Sequence, residues 1–174
     1  MDMKHLLTMI IVALAALTAT GQGNRLLMED FTIEPDSTVT MPLILANTDS
    51  TRGLQFNMTP PPGLTIDNVK ASRYSKKKGW SVSHYDQDGT TVVVIYKLGH
   101  ITFPPDSMPV AVVEFVADSG FQGGELRIWK GRGATMDNAS INIDGDTVSV
   151  TVPAASSINL EPAKEQYFNL TGEN

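Results

Sequence analysis

Gly53-Leu54-Gln55-Phe56-Asn57-Met58-Thr59, then Pro60-Pro61-Pro62-Gly63, then Leu64-Thr65-Ile66 decides the fold. Leu54, Phe56 and Met58 fall on one side of an extended chain, and Gln55, Asn57 and Thr59 fall on the other. Period-two alternation of this kind sets one row of side chains against a core and the other in water. The three prolines have no N–H to give to a sheet ladder, so they mark a crossover between strands. Outward from this stretch the pattern repeats. Met41, Leu43 and Leu45 share a strand face. Trp80 to Tyr85 runs into Asp86-Gln87-Asp88-Gly89, and Thr90 to Tyr96 runs out again, which predicts a hairpin. Val110 to Ala117 is apolar almost throughout and reads as a central strand, preceded by the break at Pro104-Pro105. Glu125 to Trp129 and Thr147 to Val152 follow, the second entered through Asp144-Gly145-Asp146. Apolar residues do not recur at i, i+3, i+4 and i+7 over three turns, so no helix is expected. The expectation is an all-β, antiparallel two-sheet sandwich.

The chain has 174 residues, 41% of them hydrophobic and 18% charged, enough apolar material for the core of one domain. Its net charge of -6 argues against a general nucleic-acid binder, which needs cations to displace counterions from phosphate. With no cysteine there is no disulfide framework, thiolate chemistry or zinc–thiolate site. Residues 1–21 read as a secretory signal peptide: Lys4 and His5, an apolar run from Leu6 to Leu17, then Ala19-Thr20-Gly21 for cleavage. That run is short of the ~20 residues a bilayer span needs, and no later run is longer, so no membrane span is expected in the mature chain. Residues 22–153 form the expected sandwich domain, and residues 154–174 a polar linker and flexible tail.

Candidate sites are few. Asp86 with Asp88, and Asp144 with Asp146, are close acidic pairs. Glycoside hydrolysis needs two carboxylates held on rigid elements, but both pairs sit in Gly-containing turns, where Asp bonds nearby backbone N–H groups. Exposed carboxylates and turn carbonyls also suit calcium, yet neither pair extends to a twelve-residue calcium loop with its closing Glu. His84 and His100 are the mature-chain histidines, without the spacing of a zinc site. Nucleophile-elbow, phosphate-loop and dinucleotide motifs are missing, so neither enzyme activity nor a metal or cofactor is expected. The basic stretch Arg73-Tyr74-Ser75-Lys76-Lys77-Lys78-Gly79-Trp80 interleaves rings with cations. It reads either as a solvated loop or as a surface that stacks on sugar and holds anions. Trp129 alternates with Leu126 and Ile128 so as to face outward. Tyr74, Lys76, Lys77, Lys78, Trp80 and Trp129 are therefore the candidate ligand-binding residues.

The order of segments resembles the cohesin-like domains of secreted proteins from Bacteroidetes-type bacteria over residues 26–152. Leu26 to Ile33 with Pro35 looks like the family's first strand. Gly53 to Met58, followed by Pro62-Gly63-Leu64-Thr65-Ile66, is similar to its xxFxxxLPxGL signature. Val110 to Ala117 with Phe121-Gln122-Gly123-Gly124 resembles its strand-then-glycine connection. Trp129-Lys130-Gly131-Arg132-Gly133 departs from the pattern, being richer in glycine than that strand end usually is. Tyr167-Phe168-Asn169-Leu170-Thr171-Gly172 is similar to the opening of a C-terminal sorting-type segment, here cut short. The resemblance implies a jelly-roll sandwich shared with carbohydrate-binding modules. It also implies a non-catalytic binding or scaffolding role at the bacterial cell surface. The expected partner is a polysaccharide or, in the cohesin manner, a surface protein.

Overall fold

A computed structural model describes residues 23–99 and 101–154. The expected signal peptide, nearly all of the expected tail and His100 lie outside the described residues. Eleven strands and one helical turn follow in the order β1 (Arg25–Leu27), β2 (Phe31–Thr32), β3 (Thr38–Asn47), β4 (Gly53–Thr59), β5 (Leu64–Ala71), α1 (Arg73–Lys77), β6 (Ser81–Gln87), β7 (Thr90–Tyr96), β8 (Asp106–Ala117), β9 (Gly124–Ala134), β10 (Ser140–Ile143) and β11 (Asp146–Thr151). They build a four-stranded sheet, β1-β3-β8-β5, and a seven-stranded sheet, β2-β11-β9-β4-β7-β6 with β10 beside β9. The expected all-β sandwich is the fold.

The alternation read in the sequence decides which face each strand buries. Leu54, Phe56 and Met58 of β4 meet Leu43 and Leu45 of β3, Val110, Val113 and Phe115 of β8, and Leu126 and Ile128 of β9 in one core. The prolines carry the chain from β4 in the larger sheet to β5 in the smaller one. β8 lies between β3 and β5, the central place its apolar run predicted. β6 and β7 form the expected hairpin, closed by Asp88 and Gly89 with φ of 50° and 75°. Positive φ at both turn residues matches the right-handed twist of paired strands. One segment closes the sandwich at its N-terminal end: β1 pairs with β3 in the smaller sheet, and β2 pairs parallel with β11 in the larger. Phe31 of β2 reaches Phe115 of β8 across the core, their ring centroids 5.1 Å apart.

The chain differs from expectation between β5 and β6. Residues Arg73–Lys77 form a helical turn where a loop was expected. The turn is too short for any apolar period to announce it. Two serines make it. Ser72 caps it by accepting from the Ser75 N–H at 3.0 Å, and its hydroxyl donates to the Pro109 carbonyl at 2.6 Å. The Ser75 hydroxyl donates to the Val110 carbonyl at 2.7 Å, pinning the turn onto β8.

Candidate functional site

The basic stretch does not present its tryptophan. Trp80 is only 4% exposed and stacks on Phe103 with centroids 3.8 Å apart, so its expected role as an accessible ring is corrected to that of a core plug. Its backbone N–H donates to the Ser75 carbonyl at 3.0 Å, and that bond draws it under the turn. Trp80 shares strand parity with Val82 and His84, the inward set of β6, and that parity was the signal for its burial. Tyr74 is half-buried and packs against the same core. Lys76, Lys77 and Lys78 remain exposed, and the Lys97 ammonium donates to the Lys78 carbonyl. α1 packs on β8 and β5, whereas Trp129 belongs to β9 of the other sheet. The six candidate residues are therefore not gathered into one surface.

The acidic turns are occupied structurally. Asp86 accepts from the Thr91 hydroxyl at 2.6 Å. Asp146 accepts from the Thr147 N–H at 2.9 Å through one oxygen and from the Met28 N–H at 3.1 Å through the other, fastening the β1–β2 connection to β11. Asp144 holds the N-terminal segment through its backbone, bonding Leu26 and Asn24 at 2.8 and 2.7 Å. Among the described residues there is no group of three or more His, Asp or Glu side chains placed to hold a metal ion.

The outer face of β9-β4-β7-β6 has a different character. Its rows follow from register. Trp129 lies opposite Asn57, Asn57 opposite Val92, and Val92 opposite Tyr85. The next row runs Arg132, Gln55, Val94 and Ser83, and the one after it Ala134, Gly53, Tyr96 and Ser81. Tyr85 and Tyr96 are 56% and 44% exposed. The face is thus polar along the middle of β4 and bordered by rings on both sides. Trp129 lies half-buried on it, its indole N–H donating to the Thr59 hydroxyl at 3.0 Å, which in turn meets the Thr90 hydroxyl at 3.0 Å.

The glycine-rich departure at Trp129–Gly133 is a bulge. Between the pairs Asn57–Trp129 and Gln55–Arg132, two residues of β9, Lys130 and Gly131, stand opposite Phe56 alone. Lys130 takes φ of 52°, and Gly131 lies so close to Ile143 of β10 that a Cβ would overlap the Ile143 carbonyl oxygen. An inserted residue reverses strand parity beyond it. Trp129 and Arg132, three apart, therefore face the same way, and Arg127 joins them opposite Thr59. The Lys130 ammonium folds back to 4.5 Å from the Trp129 ring centroid, within cation–π range. Beside these residues an open hollow of about 500 Å3 runs from Arg127 to Arg132 on β9, with Asn142 to Thr147 as its other wall.

No protein-family model matches this sequence, and no curated protein does either. Solved structures match its shape. The cohesin module of a family 33 glycoside hydrolase from Clostridium perfringens superposes with a TM-score of 0.62 at 10% identity, over 76% of this chain and 100% of its own. The seventh ScaB type I cohesin from Pseudobacteroides cellulosolvens gives 0.60 at 16%, over 79% and 97%. A type I cohesin–dockerin complex from Clostridium thermocellum gives 0.60 at 12%, over 74% and 99%. Identities this low speak for the fold alone, and the fold of this chain is the jelly-roll sandwich of the cohesins.

Proposed function

We propose that this domain is an exported, non-catalytic recognition module that docks a protein partner on the outer face of β9-β4-β7-β6 at the bacterial cell surface. The observation that carries the reading is the build of that face. It sets Trp129, Tyr85 and Tyr96 around the polar Asn57 and Gln55 and the aliphatic Val94, with Val92 buried among them. Rings that bury much area at little entropic cost, set around hydrogen-bonding groups, suit a protein interface. The cohesin fold supports the reading by analogy, since one structure of that fold is held in complex with a dockerin. Export rests on the leader at residues 1–21, and secreted protein beginning at Gln22 is its direct check. The test of the face places a photo-crosslinking amino acid at Val94 and, on the opposite sheet, at Val112. A discrete protein adduct formed through position 94 supports the face. Adducts through position 112 alone, or through neither, overturn it.

A second reading, carbohydrate binding, draws on the same exposed rings and on the cations Lys76, Lys77 and Lys78 beside Tyr74. Sugar stacking needs an open ring face, and Lys130 lies over that of Trp129. Retention of the wild-type domain on a defined glycan, lost in Trp129→Ala or in Lys76→Ala with Lys77→Ala and Lys78→Ala, would favour this reading. No retention on any glycan removes it.

A further inference from the structure

The β9 bulge collects charge as well as re-aiming it. Arg127 and Trp129 share the outer face by alternation, Arg132 joins them through the parity reversal, and Lys130 is held over the Trp129 ring. Three cations thus line one wall of the hollow between β9 and the β10–β11 turn. None of them is paired with a carboxylate among the described residues, where Lys70–Glu114 at 3.2 Å, on the other sheet, is the ion pair formed. The facing wall carries Asp144 and Asp146, and both Asp146 oxygens already accept backbone N–H groups. The Arg132 guanidinium is steadied by the Asn142 side-chain oxygen, which leaves its other N–H groups free for a planar carboxylate. All this stands on a chain whose net charge is -6. A basic strip set against the same strip of a second copy meets like charge, whereas an acidic segment laid along it meets opposite charge.

We infer that the hollow beside the β9 bulge receives an acidic segment of the protein partner, its carboxylates seated on Arg127, Lys130 and Arg132 next to Trp129. The inference rests on the reading of the outer face given above and names the chemistry of what meets it there. Protein is favoured over acidic glycan because Lys130 covers the ring that a sugar would stack on, while a side-chain carboxylate needs only the cations.

Trp129 supplies the reporter. The chain has two tryptophans, and Trp80 is sealed in the core, so a ligand in the hollow moves one indole N–H resonance and leaves the other still. The full exported chain is titrated at low salt with a deca-glutamate peptide, with a deca-glutamine peptide as control and with oligogalacturonate in parallel. The expected result is a shift of the Trp129 indole by deca-glutamate only, fading as salt rises. The triple variant Arg127→Gln, Lys130→Gln, Arg132→Gln should weaken it by about tenfold or more, as three exposed charge pairs would. Lys76→Gln with Lys77→Gln and Lys78→Gln should leave it unchanged. A shift produced equally by deca-glutamine, by oligogalacturonate in place of the peptide, or abolished by the Lys76–Lys78 variant overturns the inference. Adduct formation through Val94 that survives in the triple variant at wild-type yield overturns the acidic chemistry while leaving the face standing. Loss of the adduct in the wild type removes the face itself.

Discussion

Trp80 and Gly145 show how single positions fix this sandwich. Trp80 closes the core at the start of β6, stacked on the fully buried Phe103. Trp80→Ala would leave a hole that neighbours fill only in part, and a large-to-small change of this kind costs about 3–5 kcal/mol. Urea unfolding should show that loss, while the folded fraction keeps whatever binding the outer face has. A binding defect without a shift in the midpoint would return Trp80 to the surface. Gly145 joins β10 to β11, which pair end to end along one edge of β9, and a Cβ there would run into the Ile128 carbonyl oxygen. Backbone cannot move aside as a side chain can. Gly145→Ala should therefore cost at least the roughly 3 kcal/mol at the upper end of overpacking. It should also loosen the Asp146 anchor to Met28, read as faster amide exchange at Met28. Equal protection of that amide in the variant and the wild type would refute the account.

At the scale of elements, β9 carries the argument, because its bulge decides which side chains the outer face displays. Deleting Lys130 removes the extra residue, so that Gly131 alone stands opposite Phe56 and the pairs on either side are kept. Arg132 would stay opposite Gln55 on the outer face, with the buried Gly131 and Gly133 on either side of it still turned inward. The deletion should therefore keep a single cooperative transition by calorimetry while removing the cation over the Trp129 ring, and loss of that transition would refute the account. Lys130→Gln keeps the extra residue and should melt near the wild type. How far the sequence foretold these elements follows the same logic. The β6–β7 hairpin was readable because a two-residue turn with Gly89 leaves the chain few alternatives, and the β4–β5 crossover because three prolines cannot pair. Trp129 was placed outward by its opposite parity to Leu126 and Ile128. Arg127 and Arg132 were not singled out: alternation counted through Lys130-Gly131 gives Arg132 the wrong side, and only pairing with β4 shows the inserted residue. α1 escaped because one turn has no period, and its cations drew attention from the serines that place it. β10 escaped because Ser140–Ile143 is four residues long and reads as part of a turn.

Across the whole molecule, the sandwich is held without disulfides, so every strand that joins the two sheets bears on global stability. Residues 25–33 join them most directly. β1 completes the smaller sheet and β2 the larger, and the segment sends Leu26, Met28, Phe31 and Ile33 into the core, each less than a tenth exposed. At about 1.5–3 kcal/mol for each buried side chain, these four contribute roughly 6–12 kcal/mol. A domain of this kind has a net stability of only about 5–15 kcal/mol. Cleavage of a leader after Gly21 would leave this staple just inside the new N-terminus, where a few residues of overtrimming would reach it. A chain lacking residues 22–33 should therefore lose its cooperative thermal transition and bind a hydrophobic dye. One beginning at Gln22 should unfold in a single step. The two results together separate a staple from a dispensable edge, because a truncated chain that still melted cooperatively within a few degrees of the mature form would mean that β3 and β11 close the sandwich alone.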